Sequence, residues 1–268
     1  MKNCASLLCL LAFFACQKEN TPAPIPVPAC SISSETGVNN AYKLEYAYDA
    51  NGFISTLNVG VKDNASGQLK PAATIKYTYE NGLLVKLIDA DVEEKLEYNS
   101  SGILTKLIIT KTKEAAFVNY TLNYEMDANQ RVAKVTDSKG LQTTIKRDAQ
   151  GNVTETITVN TNTGKEIHKV VLSDYDNKKS LNDAFKSWQI NVLGYYGDYI
   201  KFPLFTKNAG GNFKKRIDYV DGKPSTEVGF TYTYNANGFP LTEQTLTKFL
   251  DGSGIATYSK TFGYTACQ

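Results

Sequence analysis

"YDANGF", residues 48–53, sets an acid, an amide and a glycine side by side, and near-copies recur down the chain. They are LEYNSSGIL (96–104), YEMDANQRV (124–132), IKRDAQGNV (145–153) and YTYNANGFP (232–240), with shorter versions in YTYENGLL (77–84) and IDYVDGKP (217–224). Asp or Asn opens a turn because its side chain can bond the backbone two residues on. Glycine closes it because the chain there needs positive φ, which costs glycine no steric strain. The shorter N-G and D-G pairs between strand-like flanks signal two-residue hairpins.

Those flanks alternate with period two. Tyr42, Leu44, Tyr46 and Tyr48 share one face while Lys43, Glu45 and Ala47 share the other. Tyr120, Leu122, Tyr124 and Met126 oppose Thr121, Asn123 and Glu125, and Phe230, Tyr232 and Tyr234 oppose Thr231 and Thr233. Further turn signals stand at 62–68, 137–140, 160–164 and 251–254. The fold class is therefore all-β. It is a long antiparallel meander of hairpin repeats, rolled into a barrel-like or sandwich-like sheet that buries its apolar face. A membrane barrel also alternates, with its apolar side toward lipid. Lys260, Ser55 and Glu155 interrupt the apolar faces, so a sheet that stands in water is expected.

The repeated acids read as turn residues and not as metal ligands. Calcium takes six to eight oxygens, whereas Asp49 has only Asn51 nearby, Asp148 only Gln150, and Asn99 carries no charge. Asp251 in DGSG lacks further carboxylates. No metal and no cofactor is expected.

The N-terminus addresses the chain to the envelope. After Met1-Lys2-Asn3, residues 4–15 are apolar apart from Ser6, too short a run to span a bilayer as a helix but suited to an export signal. FFAC (13–16) resembles a lipobox, which implies cleavage after residue 15 and a diacylglyceryl group on Cys16; Phe13 stands where leucine is commonest. Secretion with cleavage elsewhere is the competing reading. Residues 17–29 hold four prolines and no apolar periodicity, giving an extended stalk of about 40 Å. Lys18-Glu19 resembles the lysine-acid tag that directs some Bacteroidota lipoproteins to the cell surface; a charged start to a linker is the alternative.

Cys30 and Cys267 then bracket the folded part, residues 30–268. In an oxidising compartment they suggest a single disulfide that contributes on the order of 4 kcal/mol; two unpaired thiols on frayed ends remain the alternative. With Lys2 removed the formal charge falls from +2 to +1, and the charges are scattered, which gives no footprint for nucleic acid.

One stretch, about 174–212, is not meander. Ser180 and Asp183 form a capping-box pattern, and Leu181, Phe185 and Trp188 fall on one helical face, which predicts a short helix near 181–189. Beyond it Tyr195, Tyr196, Tyr199 and Phe202 crowd around two glycines. With Trp188 they either plug one end of the roll or form a ligand-binding surface for glycan or protein.

The pattern Tyr-x-Tyr-Asp-x-x-Gly (46–52) resembles the YD repeat of Rhs-type shells. Lipobox, stalk and irregular YD-like hairpins together resemble a family of Bacteroidota outer-membrane lipoproteins without an assigned function. The resemblance implies a porin-like, large antiparallel β fold and brings no catalytic residues. YDNKKSLNDAF (175–185) resembles that family's break in the meander, with SLNDAF where Asn-Pro-Phe is usual.

A catalytic reading finds little footing. His168, the sole histidine, sits in a strand-like run, and no G-x-S-x-G elbow or phosphate loop is present. Glu93, Glu94 and Glu155 read as polar-face residues. The expectation is a non-enzymatic, lipid-anchored lipoprotein of the outer membrane, a surface binding module for glycan or protein or, alternatively, a periplasm-facing assembly protein that offers sheet edges, with a glycan-acting enzyme built on paired carboxylates a distant third.

Overall fold

The computed structural model describes residues 30–90, 92–111, 120–186, 211–265 and 267. Strands β1 (Ser31–Gly37), β2 (Tyr42–Tyr48), β3 (Ile54–Lys62), β4 (Leu69–Glu80), β5 (Leu83–Asp89) and β6 (Val92–Tyr98) follow the first repeats. Next come β7 (Leu104–Lys111), β8 (Tyr120–Met126), β9 (Val132–Asp137), β10 (Leu141–Arg147), β11 (Val153–Asn160) and β12 (Glu166–Ser173). After the break, β13 (Lys215–Val220), β14 (Lys223–Tyr234), β15 (Pro240–Phe249) and β16 (Gly254–Thr265) complete the sheet.

Each strand pairs antiparallel with its sequence neighbours, and β1 pairs with β16, from Ser31 opposite Thr265 to Gly37 opposite Lys260. The sixteen strands thus form a closed barrel. Closure removes the free edges that strand addition needs.

Chain direction assigns the turns to two ends. The five long repeats all lie at the end that holds Cys30 and Cys267, and they are built alike. Asp49 Oδ1 accepts the N–H groups of Asn51 and Phe53, and Asn99 Oδ1 those of Ser101 and Ile103. Asp127, Asp148 and Asn235 repeat the same two bonds at two and four residues on. The side chains hold the backbone, as the sequence indicates. The fourth residue has positive φ each time, 77° at Gly52 and 59° at Gln130, where YEMDANQ lacks the glycine. The short turns place both central residues at positive φ, Asn81–Gly82 and Asp221–Gly222, the geometry of a type I′ hairpin.

The aromatic before the turn acid also has a task. Tyr98, at the end of β6, donates its hydroxyl to the Leu84 carbonyl at the start of β5. Tyr48 does the same to Ile32 and Tyr264 to Pro240, while Arg147 reaches Val132 and Tyr175 reaches Val153. The rim at the disulfide end is laced strand to strand.

Cys30 and Cys267 are bonded across a sequence separation of 237. Over them lies a second cluster of Ile32, Ala184, Phe239 and Phe262, with Leu181, Phe185 and Tyr46 packed against it. The break between β12 and β13 therefore covers this end through residues 181–185. Its helix is shorter than expected: the capping box of Ser180 and Asp183 forms, yet it opens a single 3-10 turn, Leu181–Ala184. Phe185 turns extended and packs its ring 5.8 Å from Tyr46. Positions 187–189 of the expected helix lie outside the described residues.

Polarity runs opposite to that of a membrane barrel. The register puts Leu84, Leu96, Leu104, Leu107, Leu122 and Val135 on the inner face, where they are buried. The outer face carries Lys43, Lys95, Lys106, Lys134, Lys146 and Lys215 around the wall. Cross-strand ion pairs join Lys106 to Glu97, Lys134 to Glu125 and Lys146 to Glu155. Each exposed pair contributes little to stability. Their meaning is solvation, because a lysine on a lipid-facing wall costs about 2–4 kcal/mol at mid-depth. Glu155 is thus an outer-wall residue and does not interrupt the apolar face as its sequence position suggests.

Candidate functional site

The inner wall divides into two halves. From β5 to β12 it is sealed, with side chains such as Leu104, Leu107, Val132 and Val153 buried to about 1% exposure or less. From β13 through β16 and on to β4 it is aromatic and less covered: Tyr42, Tyr46, Tyr77, Phe230 and Tyr232 point inward and are half-buried. At the end far from the disulfide, Val61, Val220, Phe249 and Tyr258 share the inward face yet are 46%, 44%, 36% and 54% exposed. The far end is therefore open to solvent over this half. An apolar side chain that faces inward and stays exposed is the concave, partly apolar surface that ligand sites use.

Below that mouth lies an ionic group that joins three strands. Glu35 on β1 is buried and accepts the Tyr42 hydroxyl at 2.5 Å. Lys260 on β16 stands 3.6 Å from Glu35 and 3.6 Å from Glu243 on β15. Burial pulls the Lys260 ammonium down, and the two carboxylates outweigh it, so its pKa is raised. Burial raises the Tyr42 phenol, reinforced by its bond to Glu35. The Tyr232 phenol is raised by burial and by Glu243. The group offers hydrogen-bond acceptors and a fixed cation within an aromatic surround. Lys260, which in the sequence interrupts the apolar face, is the residue that joins the two acids.

A second inner-wall network centres on Asp218 of β13. Arg216 donates to it at 2.6 and 3.0 Å, Thr226 at 2.9 Å, and His168 Nε2 lies 3.6 Å away. Burial would raise the Asp218 carboxyl, but His168 beside it and the bonds from Arg216 and Thr226 hold it at about 2. His168 here is a neighbour of the Asp218 carboxylate, whose bonds with Arg216 and Thr226 fasten β13 to β14.

Among the sequence-derived site residues, Cys30 and Cys267 are brought together as a disulfide. Cys16, Trp188, Tyr195, Tyr196, Tyr199 and Phe202 lie outside the described residues. No three His, Cys, Asp or Glu side chains come together as a metal site among the described residues. The sequence does not single out the mouth and its acids, although a signal is present: Glu35, Glu243 and Lys260 are charged residues at inward positions of alternating strands. Glu94 departs outright from the polar-face expectation. It shares its face with Val92, Leu96 and Tyr98, points inward and is 3% exposed.

No protein-family model matches the chain, and no curated protein is similar to it. Among solved structures, a porin-like protein from Bacteroides uniformis shares the fold, with a TM-score of 0.59 and 13% identity over 87% of this chain and 98% of that one. A porin-like protein from Bacteroides vulgatus matches over 88% of this chain and 99% of its own, at 11% identity and a TM-score of 0.38, too loose to carry an argument. At such identities the likeness to the first structure is one of fold.

Proposed function

We propose that this barrel, porin-like in closure and reversed in polarity, is a non-enzymatic lipoprotein of the outer membrane that binds ligand in its open mouth. The supporting observation is the set of inward aromatic and apolar side chains left exposed at the end far from the disulfide. The polar outer wall fits a domain that stands beside the bilayer, tethered through Cys16. The stalk would join at Cys30, at the covered end, so the mouth would face away from the anchor. Lys18-Glu19 favours the cell surface over the periplasmic face. Glycan is the ligand class that suits the mouth best: Phe249 and Tyr258 offer ring faces, and Glu35, Glu243 and Tyr42 offer groups for hydroxyls. A peptide with an aromatic side chain is the other ligand considered. With no free edge among the described strands, assembly by strand addition has no foothold.

The test is a glycan and peptide array with the mature protein, followed by Phe249→Ala and Tyr258→Ala. Loss of binding by roughly tenfold or more, about 1.4 kcal/mol, with unchanged melting is the expected result. Binding that survives both changes but is lost in Trp188→Ala or Tyr196→Ala would move the site to the segment between β12 and β13. Protease shaving of intact cells separates the faces: protection until the outer membrane is opened would contradict the surface placement.

A further inference from the structure

Charge is unevenly shared around the mouth. On the side of β1, β15 and β16, two acids, Glu35 and Glu243, share one cation, Lys260. On the side of β13 and β14 the balance reverses: Arg216, Asp218 and Lys223 face inward, two cations to one acid. Lys223 stands opposite Val220 in the register and is exposed beside it at the lip. The adjacent Asp221 is paired with Lys165 and leaves this balance unchanged.

The cations are also the members that a ligand can reach. Asp218 is only 11% exposed; one of its oxygens accepts both bonds from Arg216 and the other accepts the Thr226 hydroxyl. Arg216 is 34% exposed. It spends one N–H of Nε and one of Nη2 on a single carboxylate oxygen. The other three of a guanidinium's five N–H donors have no partner among the described residues. Asp218 faces Thr226, and Thr226 faces Phe249, so an aromatic ring shares this row of the wall with the guanidinium's anchor. His168 adjoins the same acid from β12, at 3.6 Å.

We propose that this side of the mouth selects a carboxylate-bearing sugar, a uronic acid unit within a glycan. The inference rests on the reading of the mouth as the ligand site. The planar guanidinium matches a carboxylate in geometry and charge. Asp218 positions it, Lys223 adds a second positive charge at the lip, and Phe249 offers a face for the sugar ring. Glu35 and Glu243 on the opposite side disfavour a carboxylate there, which fixes the direction in which the glycan lies.

Calorimetry with the mature protein compares an oligogalacturonate with its methyl ester, the same sugar chain without the charge. The acid form is expected to bind about tenfold more tightly, and added salt to shrink that advantage. Lys223→Ala, at the exposed lip, should reduce the advantage about two- to fivefold with melting unchanged. Arg216→Lys keeps the charge and loses the planar fork, and should also reduce it while the ester binds as before. Equal binding of acid and ester by the wild type, an advantage that both variants keep, or binding of neither form overturns the selection for acid. The mouth itself still stands if Phe249→Ala weakens whichever glycan does bind. Binding that survives Phe249→Ala and Tyr258→Ala overturns both readings.

Discussion

Alanine at both Cys30 and Cys267 is expected to lower the free energy of unfolding by about 4 kcal/mol. The bond ties β1 to β16, the two strands whose pairing closes the barrel, across a separation of 237. Cross-linking so distant a pair removes a large share of the unfolded chain's freedom, and that cost no longer falls on folding. Cys30 is also fully buried, within the cluster of Ile32, Ala184, Phe239 and Phe262, so the substitution loosens packing where the break covers the barrel end. Urea titration of the oxidised protein, the reduced protein and the double variant measures the effect. The reduced form should lose most of this stability, and the double variant, which also lacks the buried sulfur, at least as much. A loss below about 1 kcal/mol would show that the β1–β16 ladder closes the barrel unaided.

The second large effect belongs to Glu94. Burial, helped by the neighbouring Asp89, pushes its carboxyl from 4.5 to about 7. In the folded chain the group holds its proton up to neutral pH, while in the unfolded chain it loses it near 4.5. The unfolded state therefore gains from ionisation first, and stability falls as pH rises from about 4.5 to about 7, then levels off. The loss is on the order of 3 kcal/mol, since a tenfold change in proton affinity is worth about 1.4 kcal/mol. Glu94→Gln carries no titrating proton, so its stability relative to wild type should climb across that interval and hold constant above it. Chemical denaturation at about pH 4, 5.5, 7 and 8 brackets the interval and measures the difference. A difference that does not change with pH would show that Glu94 stays ionised inside the barrel.

Much of this molecule can be read from its sequence because its information is local. Asp49, Asn99, Asp127, Asp148 and Asn235 each specify their own turn through bonds to the residues that follow, and the alternation of the flanks fixes which side chains go inward. Closure and strand number are different in kind. They depend on the summed register of many hairpins, and no single repeat carries that sum. The expected helix near 181–189 is too long because a capping box marks a start and says nothing of length; Phe185 is already extended, with its ring packed near Tyr46. Glu94 is legible by period two, but a glutamate beside another glutamate resembles a polar face. The mouth is not legible: exposure of Val61, Val220, Phe249 and Tyr258 depends on where the opposite wall stands.

Reversed polarity in a closed barrel is tested most directly by producing residues 30–268 without leader or stalk, in buffer free of detergent. Sedimentation and flotation with phospholipid vesicles are then measured together with the β circular dichroism signal. A folded monomer that stays below the vesicles is the expected result. Aggregation relieved only by detergent, or flotation with the vesicles while folded, would mean that the outer wall faces lipid and would contradict it.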